Sequence, residues 1–210
     1  NDDVPSAYVV VSATPTDDEG KAPFASSSIE GATVGTDVAG SPHTVTGGAS
    51  ALFATGADGF GSLSITPPTL LKAITTDTAS GITGTSRQED VIYDAPSVAA
   101  NGAVTITARG ATSNAVVFTL TVNPDGSYTF VQSRALVHSG AGEDDKPLNF
   151  AFTLTDRDGD TASGSLRIDV DDDTPTNFTP AAATAINNGT AVISNQVLDT
   201  AGGIFDNAGA

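Results

Sequence analysis

The sequence predicts an all-β chain, folded as an antiparallel β-sandwich with one short helix, and three observations carry that reading. Apolar residues recur in short bursts at period two, Gly, Pro, Asn and Asp punctuate the bursts, and only one short stretch has apolar residues at helical spacing. Alternation with a polar face is what an antiparallel sheet needs when one side packs on a core and the other meets water. Turn signals at this frequency favour a sandwich over a barrel.

Taken in chain order, "AYVVVSA" (7–13) and "SLSIT" (62–66) read as strands. "PPTLLKAI" (67–74) reads as the short helix, with proline tolerated in a first turn and Leu70, Leu71 and Ile74 on one side. "AVTITA" (103–108) is the next strand, and "AVVFTLTVNPDGSYTFVQ" (115–132) is a hairpin turning at Asn123-Pro124-Asp125-Gly126. Pro124 presets φ for the first central turn position, and Gly126 suits the left-handed residue that closes a type I turn with a bulge. That turn sets Val122 opposite Tyr128 and Leu120 opposite Phe130, so both strands show their apolar residues on one face; a plain two-residue loop would spoil it. "LNFAFTL" (148–154) and "SLRIDV" (165–170) are two more one-sided strands, joined by the acidic loop "DRDGDTASG" (156–164).

Composition narrows the function. The 210 residues carry 8 Lys+Arg against 25 Asp+Glu, a formal net charge of −17. Nucleic acid and anionic membrane surfaces present the same sign and would be repelled, whereas cations are attracted. With no cysteine there are no disulfides, thiolate metal sites or cysteine nucleophiles. No apolar run approaches the roughly 20 residues of a membrane-spanning helix, so neither membrane insertion nor nucleic-acid binding is expected. His43 and His138 are the only histidines, too few for a zinc site built on imidazole, and no G-x-S-x-G elbow is present. The glycines of "GADGFG" (56–61) lack the Lys and following helix of a phosphate cradle and read as turn glycines. No enzyme is expected.

The acidic loops hold the binding chemistry. Asp156, Asp158 and Asp160 have a one, three, five spacing that turns carboxylates to one side, with Gly159 giving the backbone room to bend. The pattern is not an EF-hand, since Gly falls at the fourth position and Arg167 stands where a twelfth-position Glu would be. Two readings stay open: a calcium cage on a β-hairpin, or a solvated acidic turn. A second candidate lies in "NDDVP" (1–5) and its return as "DDDTP" (171–175), with Asp2, Asp3, Asp171, Asp172 and Asp173 as ligands. Consecutive carboxylates repel one another, and a divalent ion would relieve that; the alternative is a charged flexible linker. Glu143, Asp144 and Asp145, and Asp17, Asp18 and Glu19, read as solvated loops.

The paired motifs also suggest a repeat, and "LFATGADG" (52–59) is echoed by "IFDNAGA" (204–210). One complete unit is expected over 1–175, with 176–210 as the start of the next repeat or a partly ordered linker.

"GADGFGSLSIT" (56–66), "FTLTVNPDGSYTFV" (118–131), "LNFAFTLTDRDGDTASGSLRIDVDDDTP" (148–175) and the opening "NDDVP" together resemble the repeat domains of giant RTX-type adhesins exported by type I secretion. The resemblance spans most of 52–175 in family order. It implies an Ig-like or cadherin-like β-sandwich that is extracellular and calcium-bound. Such a unit is one link in a chain that carries adhesive domains from a bacterial surface and serves attachment and biofilm formation. Its expected partners are neighbouring repeats of the same chain. A ligand-binding module, recognising a cell-surface glycan or peptide through 14–50 or 75–100, is the alternative.

Overall fold

A computed structural model describes residues 4–13, 16–17, 43–76, 86–138 and 145–171, together with strand residues 185–187, 191–193, 197–198 and 204–205. The chain divides into a first unit, Asn1–Thr174, and a second, Pro175–Ala210, so the boundary falls inside the "DDDTP" motif. Among the described residues every regular element is a strand.

In the first unit these are β1 (Ser6–Ala7), β2 (Val11–Ser12), β3 (Thr16–Asp17), β4 (Thr44–Gly47), β5 (Phe53–Ala54), β6 (Phe60–Thr66), β7 (Lys72–Thr76), β8 (Ser86–Tyr93), β9 (Ser97–Val98), β10 (Val104–Gly110), β11 (Val116–Val122), β12 (Tyr128–Gln132), β13 (Lys146–Asp156) and β14 (Thr161–Asp171). One large sheet runs β4-β12-β11-β10-β8-β7 with β9 beside β10, the other runs β2-β14-β13-β6 with β3 beside β14, and β1 and β5 form a separate two-stranded pair. The second unit contains two short antiparallel pairs, Ala185–Asn187 with Ala191–Ile193 and Val197–Leu198 with Ile204–Phe205.

The two sheets meet through rings. Phe118 of β11 packs edge-on against Phe150 of β13 with centroids 5.8 Å apart, Phe130 of β12 meets the same ring at 6.1 Å, and Phe53 of β5 meets Phe152 of β13 at 5.9 Å. Leu120, Ile106, Leu148, Leu154, Leu166 and Ile168 fill in around them, all fully buried. The buried positions of β10 alternate without a break from Val104 to Gly110, the period-two pattern of a one-sided strand. This is a β-sandwich, as the alternation predicts.

The hairpin register is the predicted one: Val122 faces Tyr128, Leu120 faces Phe130, the Asn123 amide donates to the Ser127 carbonyl at 2.9 Å, and Gly126 sits at φ 80°. The helix over 67–74 is not formed. Residues 67–71 are an irregular link and Lys72–Thr76 is β7, with Leu71 and Ala73 buried and Lys72 exposed between them at period two. A proline disfavours helical backbone in the residue before it, which acts here on Thr66 and Pro67. Leu70, 97% exposed, sits at φ 62°, outside any right-handed helix. The Tyr93 hydroxyl donates to the Pro68 carbonyl at 2.6 Å and holds the link in place. Burial pushes that phenol's pKa up.

The strand expected over 7–13 is broken into pieces that serve different sheets. β1 pairs antiparallel with β5, while β2 and β3 pair parallel with β14, and Tyr8, Val9 and Val10 are exposed at the crossing. We call these pieces together, residues 4–13 and 16–17, the strap. Both registers give its direction. Going back from Ser6 leads alongside Ala54 and onward toward residues 55–59, and going back from Val11, opposite Leu166, leads toward Thr161. The chain therefore comes in at the end of the sandwich that holds loops 55–59 and 157–160. It leaves from Asp171 at the other end, the length of the 11-residue β14, about 35 Å, away.

The link 111–114, between β10 and β11, is held by a buried acid. Glu89 of β8 accepts hydrogen bonds from the Thr112 amide (2.9 Å), the Ser113 amide (2.8 Å) and the Ser113 hydroxyl (2.6 Å). Burial by itself would raise the carboxyl's pKa, but these bonds and the Arg134 guanidinium outweigh it and hold the group below its usual 4.5. A depressed folded-state value contributes stability that is present above the ordinary carboxylate range and lost as pH falls through the folded value. Glu89→Gln should thus lower the urea midpoint at pH 7 by an amount equivalent to about 1.5–3 kcal/mol, and the gap to wild type should close as pH drops below 4.5. A gap that stays constant down to pH 3 would contradict this role.

Candidate metal centre

The hairpin that joins β13 to β14 brings the acidic loop to the leading end of the sandwich. Asp156 is the last residue of β13 and is only 3% exposed. Its Oδ1 accepts from the backbone amides of Gly159 (3.0 Å) and Asp160 (2.8 Å), and its own amide donates to the Asp160 carbonyl at 3.0 Å. This closes the loop locally and commits one carboxylate oxygen. The other, Oδ2, is buried and has no hydrogen-bond partner. A buried, unpaired carboxylate oxygen costs free energy unless a cation or donor reaches it.

The second loop comes from the neighbouring strand. β6 pairs antiparallel with β13, and the register shifts between Thr155 and Asp156, so that Asp156 falls opposite Phe60. Gly61 makes that approach possible, because a Cβ there would lie 2.2 Å from the Asp156 carbonyl oxygen. Immediately before Phe60 the chain turns through residues 55–59 and presents Asp58. One carboxylate oxygen from each of Asp58, Asp156 and Asp158 lies within 4.8 Å of the other two. Asp58 Oδ2, like Asp156 Oδ2, is buried without a hydrogen-bond partner.

Three carboxylates with no nitrogen or sulfur among them suit a hard cation. The oxygens lie close enough together for one ion to reach all three carboxylates, as calcium does with bonds of about 2.3–2.6 Å. Backbone carbonyls and water would supply the remaining donors of a six- to eight-fold shell.

Of the ligands expected from the sequence, Asp156 and Asp158 come together and Asp160 does not. Its carboxylate stands outside the cluster, and its contribution is the backbone pair with Asp156. Asp171 is buried at the trailing end of β14, in register with Asp17 of β3, a β14 length away from the cluster. Asp2, Asp3, Asp172 and Asp173 lie outside the described residues, as does most of the 14–50 segment and residues 77–85 of the 75–100 segment. Asp58 is the member that sequence reading missed. "GADGFG" was legible as a glycine turn, and Gly56 and Gly59 do take positive φ, but only the β6–β13 register places its acid beside Asp156.

Fold and site together define a β-sandwich domain with an all-oxygen acidic centre at the end where its chain comes in. The chain belongs to the DUF5801 family, a domain of unknown function, whose family model matches residues 9–169. That span holds Asp58, Asp156 and Asp158. No curated protein and no solved structure matches the chain.

Proposed function

We propose that this domain is a calcium-binding extender in a large bacterial surface adhesin of the RTX type, exported by type I secretion and working outside the cell in attachment and biofilm formation. The observation that carries the reading is the convergence of Asp58, Asp156 and Asp158 from two loops, with two buried carboxylate oxygens that no protein donor reaches. A divalent ion there ties loop 55–59 to loop 157–160 and offsets part of a net charge of −17. The placement of chain arrival and departure at opposite ends of the first unit supports the spacer role, since copies joined through those ends extend rather than fold back. In this reading Pro175–Ala210 opens the next repeat, and the ion centre lies at the end that faces the preceding one.

The reading has no place for catalysis. It is tested by small-angle scattering on two first units joined through their own junction. Calcium should increase the maximum dimension and reduce the spread of inter-domain distances relative to EDTA, and identical profiles in the two conditions would remove the stiffening role.

A further inference from the structure

We propose that the strap formed by β1, β2 and β3 is a mechanical clamp, so that a pull along the chain loads the strap and β14 in shear. The inference rests on the extender reading for its use, while its geometry comes from strand register. The strap runs parallel to β14, with Val11 beside Leu166 and Thr16 beside Val170. Tension on the chain draws the strap toward the leading end and β14 toward the trailing end, in opposite directions along one axis. Bonds between two strands pulled that way are strained together, whereas strands peeled from one end lose their bonds one at a time.

The bonds that would carry the load are specific. The Val9 carbonyl accepts from both the amide and the hydroxyl of Ser165, each at 3.1 Å, and the Ala13 amide donates to the Arg167 carbonyl at 2.9 Å. Thr16, 1% exposed, donates its hydroxyl to the Gln132 side-chain carbonyl at 2.7 Å, which ties the strap to β12 of the opposite sheet. On its other side β14 is held to β13 by a ladder from Lys146↔Val170 to Thr155↔Thr161, loaded in the same sense. Apolar burial adds little at the crossing, where Val9 is 81% exposed, so polar bonds rather than packing hold the strap there.

The absence of cysteine makes the test clean, because an introduced thiol is a unique handle. Single-molecule stretching of the full chain compares two geometries, each with the second handle at the C-terminus. Val4→Cys pulls the strap against β14 in shear, and Asp145→Cys, next to Lys146, peels β13 from β14 starting at the trailing end. Forced unfolding reports the barrier to unfolding. The force in the shear geometry should be at least roughly twofold higher, since several hydrogen bonds must fail together rather than singly. Thr16→Val should lower the shear force and leave the peeling force unchanged, with a urea titration checking that it remains folded. Equal forces in the two wild-type geometries, or a Thr16→Val loss that is the same in both, would overturn the clamp. Repeating the comparison in EDTA separates it from the ion reading: the order of the two forces should persist there, whether or not calcium shifts the melting point.

Discussion

Calcium is expected to raise the melting temperature of this chain, and Asp156→Asn is expected to abolish the rise. A ligand that binds only the folded state stabilises it by about 2.7 kcal/mol at a hundred times its dissociation constant. In a unit of this size that corresponds to roughly 5–10 °C between EDTA and millimolar calcium. Magnesium should do less, because it holds its water more tightly and demands near-ideal octahedral geometry. In Asp156→Asn the remaining carbonyl oxygen still accepts from the Gly159 and Asp160 amides, so the loop keeps its local closure. The new amide nitrogen replaces the buried, unpartnered oxygen and can donate to the neighbouring carboxylates of Asp58 and Asp158. The variant should therefore match or exceed wild type in EDTA and fall below it in calcium. Asp160→Asn, whose carboxylate stands outside the cluster, should keep the calcium response. Calorimetric scans of the three proteins decide it, and an unshifted wild type, or an Asp156→Asn that responds fully, would reject the centre.

The largest loss without an ion should come from Phe118→Ala. This ring is fully buried and packs with its centroid 5.3 Å from that of Phe130, 5.8 Å from Phe150 and 6.1 Å from Tyr93, so it links three strands of one sheet to the core strand of the other. Truncating a buried Phe removes its transfer free energy and leaves a cavity, at a cost of about 3–5 kcal/mol. That is a large share of the roughly 5–15 kcal/mol that holds a domain folded. The melting temperature should drop by roughly 6–20 °C, and Phe118→Leu, which refills part of the space, should lose less. Denaturant titration reads the same quantity, and a change below about 1 kcal/mol would mean that the two sheets do not depend on this contact.

Strand pairing was most legible where the chain itself closes the turn. The residues of 115–132 specify the bulged turn at 123–126 and with it the register of β11 on β12, and "DRDGD" specifies the close return that makes β14 the partner of β13. Local signals misled where tertiary contacts compete with them. Leu70, Leu71 and Ile74 mimic a helical stripe, but the pairing of Lys72–Thr76 with β8 takes Ile74 into a sheet and leaves Leu70 and Leu71 in the irregular link before it. The apolar run at 7–13 reads as one strand because sequence periodicity cannot show that its two halves bond to different sheets.

The centre divides in the same way. Asp156 and Asp158 were legible because a short loop holds its own carboxylates close together. Asp58 was not, since it lies almost a hundred positions upstream and comes near only because β6 docks on β13 with a shift at Thr155 and Asp156. By itself, then, the sequence determined the all-β class, the alternating core faces, the local hairpins and the acidic character of the loops, all of which follow from contacts within a few residues. The tertiary structure alone decided which distant loops share one end, which acids converge there and which way the strap runs, because strand register, not composition, sets those distances.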